Sequence, residues 1–161
     1  MRILSGLHLS LALVWDSVAS GGTPVVETDL CIYGGTSGGI AAAIQAARMG
    51  KTVALPVFGT HLGGLTTGGL GATDVGNIRS IGGVAREFYQ RVGKAYGQTE
   101  CFRFEPHVAT QVYRAWLAEA RIEPRLNQRL LAVEKAGQRI KSIRMEDGTV
   151  YRAKMFVDAT Y

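Results

Sequence analysis

The first strong pattern in the chain lies in residues 29–49, DLCIYGGTSGGIAAAIQAARM. Residues 29–33 form a short apolar run, which is typical of a strand that is buried on both faces. Glycines crowd residues 34–39, and an alanine-rich segment of high helix propensity follows at 40–49. A second apolar run at 52–57 completes the order strand, turn, helix, strand. This order predicts a right-handed βαβ unit, and therefore an α/β fold with a parallel sheet.

The glycine turn matches the pattern G-x-G-x-x-G, with Thr36 at the position of the second glycine. Gly34 permits a sharp turn, and Gly39 lets the helix pack closely against the sheet. The start of the helix offers free N–H groups and the positive end of its dipole to a pyrophosphate. Thr36 can donate its hydroxyl to a phosphate oxygen. The pattern predicts a dinucleotide site formed by Gly34, Gly35, Thr36, Ser37, Gly38 and Gly39, and a purely structural turn is the alternative.

The same residues also fit a hydrolase motif. Residues 35–39 match G-x-S-x-G, the nucleophile elbow, in which Ser37 would be the nucleophile. Two features argue against this interpretation. The motif follows the first strand rather than several earlier ones, and the segment 61–64, which resembles an oxyanion loop, comes after the serine. Downstream, His107 is only a nominal candidate for the base.

The rest of the chain contains a long loop, two helices and a group of strands. The glycine-rich loop covers residues 58–77, and a loop of this length inside a compact domain is usually functional. Apolar periodicity predicts helices at 82–96 and 106–120. We expect the C-terminal segment to form a small antiparallel β-meander, with a hairpin turn at Asp147-Gly148. The predicted strands are 121–126, 129–135, 140–145, 150–151 and 154–158.

Composition and charge exclude several classes of protein. The chain has 161 residues, of which 47% are hydrophobic and 19% are charged, so we expect one globular domain rather than a disordered or coiled-coil protein. Of the 21 glycines, 16 lie between Gly34 and Gly97, which indicates that a ligand closely approaches the backbone. The net charge is +5, but the basic residues are scattered, so no nucleic-acid partner is expected. The two cysteines form no metal-binding spacing, and we predict no metal.

The N-terminus resembles a secretory signal. Arg2 precedes a mostly apolar segment at 3–15, and small residues follow at 17–20. We therefore predict a signal peptide at 1–20, a linker at 21–28 and a domain at 29–161, with a secreted or periplasmic location. The apolar segment is too short for stable insertion in a membrane. A simple N-terminal extension is the alternative.

Four segments carry a family resemblance: residues 29–43, 61–74, 104–107 and 145–160. Together they resemble the N-terminal part of a bacterial FAD-dependent oxidoreductase family, sometimes labelled xanthan lyase-like. The resemblance covers most of residues 29–161. It implies a Rossmann-like three-layer FAD/NAD(P)-binding domain of the glutathione-reductase type. It also implies FAD as the cofactor and redox chemistry on a small-molecule substrate.

The resemblance also implies roles for individual residues. The glycine turn would hold the FAD pyrophosphate, and Asp158 would match a later strand motif of the flavin domain. No catalytic base is identified, and the sequence makes no prediction of oligomeric state. The flavin side would be lined by residues of the glycine-rich loop, namely His61, Gly63, Gly64, Thr66, Thr67, Gly68 and Gly69.

The chain departs from the family in two ways. Members usually carry an acidic residue at the end of the second strand, where it binds the adenosine ribose, and here Val57 stands at that position. Valine cannot accept a hydrogen bond from the ribose hydroxyls. Members also extend well past the segment 158–160, so we expect a flavin domain that is incomplete at its C-terminus, with apolar surface uncovered on the strand 154–158. A non-catalytic nucleotide-binding remnant is therefore an alternative beside the serine hydrolase.

Overall fold

The computed structural model describes residues 23–161, and the predicted signal peptide at 1–20 lies outside them. Short 3-10 turns at Gly64–Thr66 and Ile78–Ser80 interrupt the long glycine-rich loop. The described helices are α1 (Ser37–Arg48), α2 (Gly83–Ala95) and α3 (Pro106–Glu119), and the strands are β1 (Val25–Tyr33), β2 (Val53–Ala54), β3 (Leu130–Ala136), β4 (Arg139–Met145) and β5 (Val150–Asp158).

The described strands form one mixed sheet in the order β2-β1-β5-β4-β3. β1 runs parallel to both β2 and β5, whereas β5, β4 and β3 pair antiparallel. The pairing of β1 with β5 extends from Val25 opposite Val150 to Tyr33 opposite Asp158. The predicted α/β class, the βαβ unit and the meander are therefore confirmed. The meander continues the parallel part of the sheet because β5 belongs to both.

The ends of several elements differ from the prediction. β1 begins at Val25, inside the predicted linker, because its first residues pair with the start of β5. The two short strands predicted at 150–151 and 154–158 are one continuous strand. α1 begins at Ser37, within the glycine turn, rather than at Ile40.

The predicted strand at 121–126 is wrong. Arg121 adopts a positive φ of 56°, which ends the extended conformation, and only a single bridge joins Arg125 to Pro56. β2 is also shorter than predicted. Pro56 has no N–H group to donate, so a longer ladder cannot form at this edge of the sheet.

The core lies on both faces of the parallel strands. Ile32 of β1 packs with the three helices, in a cluster that includes Ile40 and Trp116. Its neighbour Cys31 points to the opposite face and packs with the buried Tyr151 of the meander. Burial raises the pKa of the Cys31 thiol to about 12, so this cysteine is a packing residue at neutral pH. The helices therefore cover one face of β1, and on its other face Cys31 packs with buried side chains of β4 and β5.

Charged side chains join the three helices around Trp116. The guanidinium groups of Arg48 and Arg91 lie 5.5 and 4.5 Å from the centre of its ring. Glu87 bridges the two arginines, at 2.7 Å from Arg48 and 3.0 Å from Arg91. Glu119 is 2.8 Å from Arg91. Each helix thus contributes to a single network over an indole that is 2% exposed.

Part of the sheet surface is apolar and exposed. β4 pairs with β5 only at residues 150–152, so the later part of β5 is paired with β1 alone. Met155 on this segment is 65% exposed, in agreement with the apolar surface expected there. None of the helices within residues 23–161 is long and apolar enough to cross a membrane.

Candidate functional site

The start of α1 is capped by Thr36. Its hydroxyl oxygen accepts a hydrogen bond from the N–H of Gly39 at 3.2 Å and donates to the carbonyl of Ala159 at 2.8 Å. The hydroxyl proton of Thr36 is thus already used within the protein. The N–H groups of Ser37 and Gly38, at the beginning of the helix, have no acceptor among residues 23–161. Two free N–H groups at a helix N-terminus form a site for an anion.

Two positions of the turn, Gly34 and Gly39, have no room for a side chain, whereas Gly38 faces open space. A Cβ atom on Gly34 would lie 2.4 Å from the carbonyl oxygen of Ala159, and the φ of Gly34 is +124°. A Cβ on Gly39 would lie 2.1 Å from the carbonyl oxygen of Gly34. At Gly38 the nearest atom would be the Thr36 hydroxyl, 3.8 Å away. The turn therefore packs tightly against the end of β5 while its outer side stays accessible to a ligand.

Ser37 joins the turn to the glycine-rich loop. Its hydroxyl donates to the carbonyl of Gly63 at 2.9 Å and lies 2.7 Å from the hydroxyl of Thr66. Within residues 23–161 no histidine hydrogen-bonds to Ser37. A nucleophile elbow needs a base in contact with the serine. The hydroxyl of Ser37 is instead placed to hold the loop against α1.

His61 organises the loop from its other side. Its Nε2 atom lies 3.1 Å from the carbonyl of Gly64 and 2.8 Å from the hydroxyl of Thr67. A carbonyl only accepts hydrogen bonds, so Nε2 carries the proton. In the neutral ring, Nδ1 is then the acceptor. Thr67 in turn donates its hydroxyl to the carbonyl of Leu62.

The contacts of Thr67 predict a measurable loss of stability. Thr67 is 5% exposed, and Thr67→Val removes its hydroxyl while nearly preserving its shape. We expect the free energy of unfolding to fall by about 1–3 kcal/mol, because the carbonyl of Leu62 loses its partner. Urea denaturation measures the change. Thr60→Val at an exposed position of the same loop is the control, and equal effects of the two substitutions would contradict the assignment.

A cleft of about 500 Å³ lies at the carboxyl ends of β1, β2 and β5. In open α/β sheets, ligands bind outside these ends of the strands. The glycine turn forms one wall, and the segment that follows β2 forms another. The lining residues are Tyr33, Gly34, Gly35, Thr36, Val57, Phe58, Gly59, His61, Gly64, Thr160 and Tyr161.

The structure separates the predicted site residues into three groups. Gly34, Gly35, Thr36, His61 and Gly64 line the cleft. The side chains of Ser37 and Thr66 face a different pocket beside α1, which Gly38 also lines. The third group lines neither of these two pockets. It consists of Gly39 in α1, Gly63, Thr67, Gly68 and Gly69 in the loop, and Asp158 at the end of β5.

Asp158 is engaged by its own turn. Its carboxylate accepts hydrogen bonds from the N–H of Thr160 at 3.0 Å and from the hydroxyl of Thr160 at 2.7 Å. These bonds lower the pKa of Asp158 below its ordinary value. The carboxylate therefore shapes the turn that leads from β5 into the cleft.

Sequence reasoning missed three aromatic residues of the cleft, namely Tyr33, Phe58 and Tyr161. Tyr161 accepts a hydrogen bond from the N–H of Leu65 at 2.8 Å, so its ring reaches across to the glycine-rich loop. Phe58 is 56% exposed, and the guanidinium of Arg129 lies 5.1 Å from the centre of its ring. The position of Phe58 directly after the second strand could have indicated it. No local pattern points to Tyr161.

Val57 packs under the glycine turn. It is 3% exposed, and a Cβ on Gly35 would lie 2.9 Å from one of its methyl groups. Its side chain thus supports the turn and provides no hydrogen-bond acceptor. Phe58 is the next side chain along the same wall. This wall of the cleft thus presents an apolar side chain at Val57 and an aromatic ring at Phe58, and neither side chain accepts a hydrogen bond in the way a carboxylate does.

The fold is similar to that of several enzymes of known structure. L-proline dehydrogenase from P. horikoshii has a TM-score of 0.63 at 12% identity, covering 85% of this chain and 53% of its own. Bacillithiol disulfide reductase from Staphylococcus aureus has a TM-score of 0.58 at 19% identity, covering 84% and 38%. A flavin-containing monooxygenase from Stenotrophomonas maltophilia has a TM-score of 0.58 at 14% identity, covering 83% and 38%. The chain thus spans about two fifths to half of these proteins, and the likeness concerns the fold alone.

Comparison of the sequence with curated proteins gives no match. Comparison with family models gives a match. It covers residues 29–161, the region that contains the glycine turn, the loop and the cleft. The predicted cofactor, FAD, agrees with this match. The chain belongs to the family of FAD dependent oxidoreductases.

Proposed function

We propose that the cleft binds FAD and that the chain is the N-terminal, flavin-binding part of an oxidoreductase that acts on a small organic substrate. The observation that carries this proposal is the pair of free N–H groups on Ser37 and Gly38, at the carboxyl ends of three parallel strands. The open space at Gly38 lets a phosphate approach them. FAD supplies the electron-transfer chemistry, while the protein binds and orients it.

The described residues suggest how the cofactor would be held. The pyrophosphate would accept hydrogen bonds from the N–H groups of Ser37 and Gly38, helped by the dipole of α1. Phe58 offers an apolar face for the adenine ring. Across the cleft, His61 provides Nδ1 as an acceptor, and Tyr161 closes the wall beside the glycine-rich loop.

Adding a negative charge to the helix start tests this proposal. Gly38→Glu places a carboxylate at the N-terminus of α1, where it interacts favourably with the dipole and so preserves or raises the melting temperature. The same charge repels a pyrophosphate. We expect FAD affinity to fall at least about tenfold, which corresponds to ~1.4 kcal/mol. Titration of the full chain with FAD, followed by flavin fluorescence, measures the affinity.

Gly38→Gln is the matched control, since it adds a side chain of similar size without charge. We expect this variant to lose much less affinity than Gly38→Glu. A folded wild-type chain that does not bind FAD, or equal losses in the two variants, would contradict the proposed site. Covalent labelling of Ser37 by a fluorophosphonate would favour the hydrolase instead. Binding of FAD without reduction by any substrate would favour the non-catalytic remnant.

We further propose that the protein is secreted or periplasmic, because residues 1–20 have the composition of a signal peptide. Expression of the full chain in a bacterial host with a working secretion pathway tests this. The expected product begins near residue 21, as measured by the intact mass of protein from the periplasm or medium. An uncleaved chain that stays in the cytoplasm would contradict it.

A further inference from the structure

A second pocket lies on the other side of the start of α1. It has a volume of about 270 Å³ and is enclosed by α1, α2, α3 and the 3-10 turn at residues 64–66. None of its lining residues belongs to the cleft. Ser37 and Gly38 also contribute their N–H groups to the proposed pyrophosphate site, but the aromatic part of the pocket lies outside that site.

Four aromatic rings form one wall of the pocket. Phe88 and Tyr113 stack with their ring centres 4.6 Å apart and their planes 17° apart. Tyr89 meets Phe88 edge to face at 5.3 Å, and Trp116 completes this side. The pocket thus presents flat, polarisable surfaces, which favour offset or edge contacts with another ring.

Small residues leave the space open. Ala41 of α1 and Ala85 of α2 line the pocket with single methyl groups, and Val84 adds a short aliphatic chain. Ala85 is exposed, so the pocket opens to solvent on this side. Any larger residue at either alanine would occupy volume that is now available to a ligand.

The polar groups of the pocket are hydroxyls. Those of Ser37 and Thr66 lie 2.7 Å apart. Burial raises the pKa of Tyr113, which lines the same pocket. None of the described lining residues carries a charge. A hydroxyl group can both donate and accept, so this cluster suits a neutral ligand with one oxygen.

We propose that this pocket binds a small neutral aromatic molecule that carries one hydroxyl or carbonyl group. The rings of the ligand would pack against the aromatic wall, and its oxygen would reach the hydroxyls of Ser37 and Thr66. The volume limits the size. A cavity of about 150 Å³ accepts benzene, and pockets for larger organic ligands begin near 300 Å³. The pocket is therefore suited to one ring or two fused rings.

Two related probes test the chemistry of the pocket on the full chain. p-Cresol carries the hydroxyl that the cluster would bind, and toluene lacks it. We expect p-cresol to produce saturable NMR shifts at the amides of Phe88 and Tyr113. Toluene is expected to bind at least about threefold more weakly, because the hydroxyl cluster then has no partner on the ligand. Equal affinities would overturn the assignment of a hydroxyl-bearing ligand.

A pair of substitutions tests whether p-cresol binds in this pocket. Ala85→Phe fills the mouth of the pocket from an exposed position on α2, and we expect p-cresol affinity to fall at least about tenfold. Ala95→Phe, at the exposed last residue of the same helix, is the matched control and is expected to bind as the wild type does. Unchanged binding in Ala85→Phe would overturn the proposal.

Discussion

Gly39→Ala is expected to lower the free energy of unfolding by roughly 3 kcal/mol or more, at the upper end of the usual cost of overpacking. The added methyl group would lie 2.1 Å from the carbonyl oxygen of Gly34 and 3.1 Å from the Cβ of Ala159. Neither can move freely, because one belongs to the glycine turn and the other follows β5. The helix must therefore withdraw from the sheet, and binding at the cleft is lost with it. Thermal and urea denaturation measure the change.

Gly38→Ala provides the matched control one residue earlier. Its methyl group would enter open space, with the nearest atom 3.8 Å away. Alanine is a better helix former than glycine, so this variant is expected to be as stable as the wild type or more stable by up to about 1 kcal/mol. If the two substitutions destabilised the chain equally, the close approach of Gly39 to the turn would be refuted.

Trp116→Ala is expected to cost about 3–5 kcal/mol, the range for removing a large aromatic side chain from a core. The indole is 2% exposed and packs among the helices on one face of the sheet. Its loss also leaves Arg48 and Arg91 without the ring that both of them cover. We expect all three helices to lose protection against amide exchange together, since α1, α2 and α3 each contribute to this network.

Trp116→Phe separates packing from the contacts with the arginines. A smaller ring keeps much of the apolar contact, so a loss well below that of the alanine variant is expected. Arg91→Lys keeps the positive charge but removes the planar group above the indole, and it is expected to cost less than about 1 kcal/mol. A loss of under about 1 kcal/mol for Trp116→Ala would show that the indole is not essential to the helix layer, since core aromatics normally cost more.

The sequence was most informative where structure depends on neighbouring residues. The turn at Gly34–Gly39 and the alanines of α1 predict a strand, a turn and a helix because each step is encoded within a few residues. The same holds for the meander, whose hairpin signal at Asp147-Gly148 lies at the observed turn between β4 and β5. The prediction failed at residues 121–126, where a strand was expected but Arg121 adopts a positive φ that ends the extended conformation.

The parts that could not be predicted depend on contacts between distant segments. Ser37 was expected to face a phosphate or a substrate, yet its hydroxyl meets Gly63 and Thr66, which lie 26 and 29 positions away. Tyr161 contacts Leu65 at a separation of 96 positions. Neither partner is encoded near the residue itself. The placement of Trp116 beneath two arginines likewise requires the packed arrangement of three helices.

The pairing of β1 with β5 has a consequence for the rate of folding. Lys154 and Asp29, on these adjacent strands, are 125 positions apart in the sequence and joined at 2.7 Å. The centre of the sheet therefore closes a very long loop, and its entropic cost must be met before the pairing can contribute stability. During synthesis β1 is made before β5, so the edge of β1 that pairs with β5 stays unpaired until β5 has been made. We expect folding of this sheet to be slow, and nascent chains to depend on chaperones until β5 is available.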